Sequence, residues 1–147
     1  EYTLEVKISR KNSVSLCDDK FILSIKDEDQ DREQIVTREL RKVFYNKCLE
    51  FLSKYEKIMN VHAEQLRIKK MKTRWGTCNI EAKRIWINYE LVKYPVECLE
   101  HTIVHELTHL LETNHTSRFY TLLGKYYPNY RENDKLIKEF SKQLIGR

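Results

Sequence analysis

Between residues 36 and 58 the apolar positions Val36, Leu40, Val43, Phe44, Phe51, Leu52, Tyr55 and Ile58 recur at helical spacing. That period predicts one long amphipathic helix over about 31–59, ending near Asn60, with Asp31 and Gln34 placed as a capping box. Ahead of it the pattern is alternation instead. Leu4, Val6 and Ile8 share one face of a first run, and Phe21, Leu23 and Ile25 share one face of a later one. Lys11-Asn12-Ser13 and Cys17-Asp18-Asp19-Lys20 supply turn chemistry, so 1–28 reads as a small antiparallel meander of hairpins, with 27–31 a polar hinge.

Alternation resumes after the helix. Leu66 and Ile68 alternate with basic residues in a strand that runs into Trp75-Gly76. A hairpin turn through 79–83 leads to a second strand over 84–88, with Ile85 and Ile87 on one face. Pro95 suits the first turn of a further helix, expected over about 95–112. Ser117 is placed to cap a short helix carrying Phe119, Leu122, Leu123 and Tyr126, which Pro128 stops. Leu136, Ile137, Phe140 and Leu144 mark a last helix over about 131–145. The expected architecture is α+β: a small antiparallel sheet packed against helices, in one domain over 1–147 without repeats or linkers.

The helix after Pro95 carries chemistry. In His105-Glu106-Leu107-Thr108-His109 the two histidines are one helical turn apart, so they share a face and can reach one ion, with Glu106 beside it. Leu99, Ile103, Val104, Leu107, Leu110 and Leu111 keep that helix apolar around the motif. Catalytic zinc takes three protein ligands and leaves a fourth position for water. His115 follows Thr113-Asn114, where Asn suits a helix end, and a break there would swing it back as the third ligand. The alternative is a pair of core or surface histidines on an amphipathic helix. His101, one turn before His105, is roughly 12 Å along the helix from His109, so it reads as a neighbour lining the site or a packed histidine. His62 reads as solvated, and Glu132 or Glu139 are more distant ligand candidates. The metzincin pattern does not fit, because Glu112 stands at its Gly position and no Met follows Met71.

Such a site hydrolyses peptide bonds: zinc brings the pKa of its water to about 7, and Glu106 accepts the proton as general base. Arg74, Tyr89 and Tyr120 are candidates for a second oxyanion donor. The stretch 74–78 suits an edge strand that pairs with an extended substrate through Arg74, Trp75 and Gly76, the glycine permitting close approach. The competing reading of that stretch is a hairpin corner with Trp75 packed on the helices.

Arg74-Trp75-Gly76-Thr77-Cys78, the Ile- and Asn-containing strand over 85–88, His105-Glu106-Leu107-Thr108-His109 and Asn114-His115-Thr116 together resemble the YgjP-like metallopeptidase family. That family is related to the SprT and Spartan proteases. Thr77 and Thr116 stand where its members have Ser, and Phe119 matches a following aromatic. The specific resemblance covers about 66–127. By position it implies a zincin-like fold, metal ligation by His105, His109 and His115, Glu106 as base, and a protein or peptide substrate.

Composition narrows the setting. The 147 residues are 41% hydrophobic and 33% charged, with few Gly and Pro, as in a helix-rich globular chain. No apolar run approaches the roughly 18 residues of a membrane span, so no membrane partner is expected. Residue 1 is Glu, so the lack of a leader carries little weight on location. Cys17, Cys48, Cys78 and Cys98 form no C-x-x-C pair, which favours reduced thiols and a cytoplasmic setting, and gives Cys78 no metal or redox partner. The net charge of +5 is modest, but Arg67, Lys69, Lys70, Lys72 and Arg74 cluster within 67–74 near Trp75 and Trp86. A nucleic-acid partner, alone or in a DNA-associated protease, is therefore the rival to a merely solvated strand. A zinc-stabilised scaffold without catalysis is a third reading, and Glu106 argues against it.

Overall fold

A computed structural model describes residues 3–8, 13–17, 20–25 and 32–145, with side chains described over 34–142. The turn residues 11–12 and 18–19, the hinge 27–31 and the cap Asp31 lie outside the described residues. The chain is α+β, as its patterns predict, but both of its three-stranded sheets are mixed and not antiparallel.

In the first sheet β1 (Thr3–Ile8), β2 (Ser13–Cys17) and β3 (Lys20–Ile25) take the order β1-β3-β2. β2 and β3 form the expected antiparallel pair, whereas β1 lies on the far side of β3 and parallel to it. Alternation assigns a residue to a face; it carries no information on which strand lies next door or in which direction.

Helix α1 (Arg32–Met59) buries Ile35, Phe44, Cys48, Phe51, Leu52, Tyr55 and Met59. Asn60 stops it in the left-handed conformation at φ 54°, and the Val61 N–H donates to the Glu56 carbonyl at 3.1 Å, the two marks of a Schellman end.

The second sheet holds β4 (Gln65–Lys69), β5 (Gly76–Asn79) and β6 (Arg84–Asn88) in the order β4-β6-β5. β6 is central, parallel to β4 and antiparallel to β5. The single strand expected from Leu66 into Gly76 is thus two strands on opposite sides of β6. Residues 69–74 offer no apolar alternation to continue it, and buried Asn88 holds the break. Its Oδ1 accepts from the N–H groups of Met71 and Glu90, and its Nδ2 donates to the carbonyls of Met71 and Arg74. A 3₁₀ turn, Tyr89–Lys93, follows without a sequence signal.

α2 (Val96–Thr108) is shorter than the expected 95–112, and Pro95 precedes it as the cap. The backbone tightens beyond Thr108: the His109 N–H bonds to the Glu106 and Leu107 carbonyls, and the Leu111 N–H to that of Thr108. α3 (Ser117–Tyr126) is capped by Thr116, whose hydroxyl accepts from the Phe119 N–H at 3.3 Å, one residue before the expected Ser117. α4 (Tyr130–Ile145) packs Ile137 and Phe140 back on the core. No helix of the described residues is long and apolar enough to cross a membrane.

Candidate metal centre and cleft

α2 forms the floor of a cleft of about 590 Å³, with β5 and the preceding loop on one wall and α4 on the other. His101 and His105 on α2 and His109, its C-terminal cap, line it at successive turns together with Glu106. The early end of α2 decides the local geometry. His109 Nδ1 lies 2.9 Å from the Thr113 carbonyl, which ties the chain beyond the helix back to its last turn. The chain then delivers His115, with its Nε2 3.0 Å from that of His105. One nitrogen from each of His105, His109 and His115 lies within 4.8 Å of the others, a spacing that can hold a metal ion.

Phe119 underlies all three rings. It is fully buried, and its ring centroid lies 5.0, 4.8 and 4.9 Å from those of His105, His109 and His115. Thr116 fixes the start of the helix that carries it. Burial, with neighbouring imidazoles adding to it, lowers the His105 pKa to about 3, and burial also lowers that of His109. Both rings are therefore neutral at pH 7, the form in which imidazole binds metal. The His109 contact also fixes its tautomer: Nδ1–H donates to the Thr113 carbonyl and leaves the Nε2 lone pair for an ion.

Glu106 is 5% exposed, and its Oε2 has no hydrogen-bond partner. Burial raises its pKa from 4.5 to about 7, against the opposing pull of the Arg74 charge. A buried carboxylate with a free oxygen at a cleft floor has what a general base needs.

The residues of the upstream stretch fall into different places. Arg74 is exposed on the cleft wall. Trp75 lines the cleft but is committed to packing: its Nε1–H donates to Ser141 Oγ at 2.8 Å, and its ring meets Tyr94 edge-on at 5.2 Å. Gly76 does permit close approach, toward α2. A Cβ there would lie 2.8 Å from Thr102 Cγ2 and 3.2 Å from Glu106 Cγ. The glycine lets β5 lie directly on the helix beside the carboxylate.

Several other candidates resolve as well. Tyr89 is buried against Phe44 and Arg41, outside the cleft lining, and Tyr120 is exposed with its ring 6.4 Å from His115. His62 is exposed and pairs with Glu56. Glu132 and Glu139 do not join the histidine cluster. The carboxylate that α4 brings to the cleft is Asp134, which sequence reasoning missed. Its Oδ1 lies 3.3 Å from His101 Nε2, and its Oδ2 accepts from Lys138 at 2.7 Å. His101 is thus both a packed histidine and a lining one. Burial raises the Cys78 thiol pKa to about 11, which leaves it protonated and unreactive beside Glu106.

The amino-acid sequence matches the YgjP-like, metallopeptidase domain family over residues 1–140. The chain belongs to the YgjP-like metallopeptidase family. It is accordingly a peptidase of the hydrolase class, and a metal ion goes with that membership. No curated protein sequence matches the chain. Among solved structures, the metallopeptidase zymogen of Pyrococcus abyssi abylysin aligns with a TM-score of 0.55 at 19% identity, over 63% of this chain and 93% of that one. The zymogen of Methanocaldococcus jannaschii jannalysin aligns with a TM-score of 0.54 at 23% identity, over 63% of this chain and 96% of that one. At these identities the likeness is one of fold.

Proposed function

We propose that this YgjP-like domain is a zinc-dependent peptidase in which His105, His109 and His115 hold the metal and Glu106 is the general base. The observation that carries the reading is the convergence of three imidazoles on one point of the cleft floor, with the buried carboxylate of Glu106 beside them. The donor set suits zinc, since three nitrogen ligands satisfy most of a tetrahedral shell and leave a place for water. Zinc so held supplies Lewis acidity toward water and toward a carbonyl oxygen.

The chain's own residues do the rest. Glu106 takes the proton from the attacking water and returns it to the leaving amine, and a pKa near 7 serves both transfers. β5 is an edge strand of its sheet and lines the cleft, so its backbone is available to an extended protein or peptide substrate. In this reading Arg74 faces the substrate, while Trp75 and Gly76 hold β5 in place. The thiols of Cys48, Cys78 and Cys98 are free, which supports a reducing, cytoplasmic setting.

Chelation and reconstitution test the proposal. Treatment with a strong chelator should abolish cleavage of an unfolded protein substrate, and stoichiometric zinc should restore it. His115→Ala should lose both bound zinc and cleavage. Full activity in the chelated protein, or in a His115→Ala variant without zinc, would overturn the reading.

A further inference from the structure

The cleft lies against the inner face of the second sheet and its β5 edge. Ile85 and Ile87 on β6 are fully buried, Leu66 on β4 is nearly so, and Gly76 on β5 lies against α2. The strand register puts Arg67, Trp86 and Thr77 side by side on the opposite face, with Gln65, Arg84 and Asn79 as the next row. Lys69 belongs to the same outer face, and its Nζ lies 4.6 Å from the centre of the Trp86 ring. Arg67 and Lys69 are exposed, and Trp86 is half-buried.

The charge on the three strands is of one sign. β4, β5 and β6 contain Arg67, Lys69 and Arg84 and not one carboxylate. Beyond the β4 edge a groove of about 510 Å³ continues the cationic surface with Arg38, Arg41 and Lys42, although Glu39 offsets part of it by pairing with Arg38 and Lys42. On the other side, Lys70 and Lys72 follow directly in the loop toward Arg74.

We propose that this outer sheet face is a binding platform for single-stranded nucleic acid, with Trp86 stacking on a base and Arg67, Lys69 and Arg84 contacting phosphates. A flat aromatic ring among cations on an open sheet is the arrangement that engages unpaired bases without reading their sequence. An acidic peptide would satisfy the cations but leave the indole unused, and a duplex hides its base faces. Lys69 occupies the indole face through a flexible side chain that a base can displace. The platform lies across the sheet from α2, so a nucleic acid held there leaves the cleft open to a polypeptide. Trp75, the other tryptophan of the basic region, is committed to Ser141 and Tyr94.

The test is tryptophan fluorescence titration of the full chain with oligothymidylate and with oligouridylate, at several salt concentrations. The expected result is binding with quenching that weakens as salt rises, and a preference for either single strand over a duplex of equal length and over polyglutamate. Trp86→Ala removes the fluorescent reporter, so its affinity is read by anisotropy of a fluorescein-labelled strand, and it should be weakened about tenfold or more, as loss of one stacked base does. Arg67→Gln with Lys69→Gln, a pair of exposed changes that spare the core, should lower the slope of log affinity against log salt by about 0.7 for each phosphate contact removed. Absence of binding at low salt, equal or better binding of duplex or polyglutamate, or affinity and slope unchanged in both variants would overturn the proposal. Binding is read without reference to peptidase activity, so this result and the metal reading stand or fall separately.

Discussion

The Nδ1 of His109 lies 2.9 Å from the carbonyl oxygen of Thr113, and this contact both ties down the chain that follows α2 and fixes the tautomer of a candidate ligand. The fold and the site therefore meet in one hydrogen bond. In a helix continued to Asn114 the Thr113 carbonyl would point along the axis toward the C-terminus, out of reach of the His109 ring, and His115 would lose its path back to His105.

Phe119 holds the three rings from below, and this predicts a metal-affinity effect from a residue that binds no metal. Phe119→Leu should keep the fold yet weaken zinc binding by about tenfold, because a smaller, differently shaped side chain frees the imidazoles to rotate. Competition with a chromophoric chelator measures this. An unchanged affinity would show that the rings are held by other contacts.

Glu106 predicts a pH-dependent stability change in chelated protein. Its pKa is 4.5 ordinarily and about 7 in the fold, so between these values the folded chain binds more protons than the unfolded one. Its contribution to stability is therefore lost as pH rises through that window, and the cost of the buried charge is complete above pH 7. Glu106→Gln should raise the melting temperature at pH 8, by a gain on the order of 2 kcal/mol that shrinks toward pH 5. His105, lowered from 6.5 to about 3, works in the opposite sense, destabilising as pH falls, and is common to both proteins. Equal melting temperatures at pH 8 would contradict the buried, uncompensated carboxylate.

The contact of β5 with α2 predicts a paired effect. Gly76→Ala places a methyl 2.8 Å from Thr102 Cγ2, which should destabilise the chain by about 1–3 kcal/mol and reduce cleavage by displacing the strand. Adding Thr102→Ser removes that methyl while keeping the hydroxyl that donates to the Cys98 carbonyl, and should recover part of the loss. Denaturant unfolding of the two single variants and the double variant provides the check. Additive losses would place the strain elsewhere.

Asn88→Ala should cost about 3 kcal/mol in urea unfolding, because it strands the backbone groups of Met71, Arg74 and Glu90 that Asn88 satisfies. It should also loosen the loop that presents Arg74 to the cleft. A cost below about 1 kcal/mol would mean that water replaces the side chain without loss.

The parts legible in the sequence were those set by local periodicity. One-turn spacing brings His105 and His109 to one face, and the apolar repeat before Asn60 marks α1. What escaped depends on contacts between distant residues. Asn88 breaks a would-be strand through bonds to Met71 and Arg74 across the sheet. Asp134 reaches His101 only because α4 docks against α2, a tertiary event that no spacing encodes. The antiparallel meander failed for the same reason, since alternation in β1 and β3 is equally compatible with either direction. The cap of α3 moved by one residue because Thr116 and Ser117 carry the same chemistry, and only backbone geometry chooses between them.

The most direct test of the central claim is cleavage of an unfolded protein by zinc-loaded wild type and Glu106→Gln, with zinc content measured on the same samples. Equal zinc in both proteins, and cleavage by the wild type alone, is the expected result. Undiminished cleavage by the variant at equal zinc content would contradict the role of Glu106 as the base.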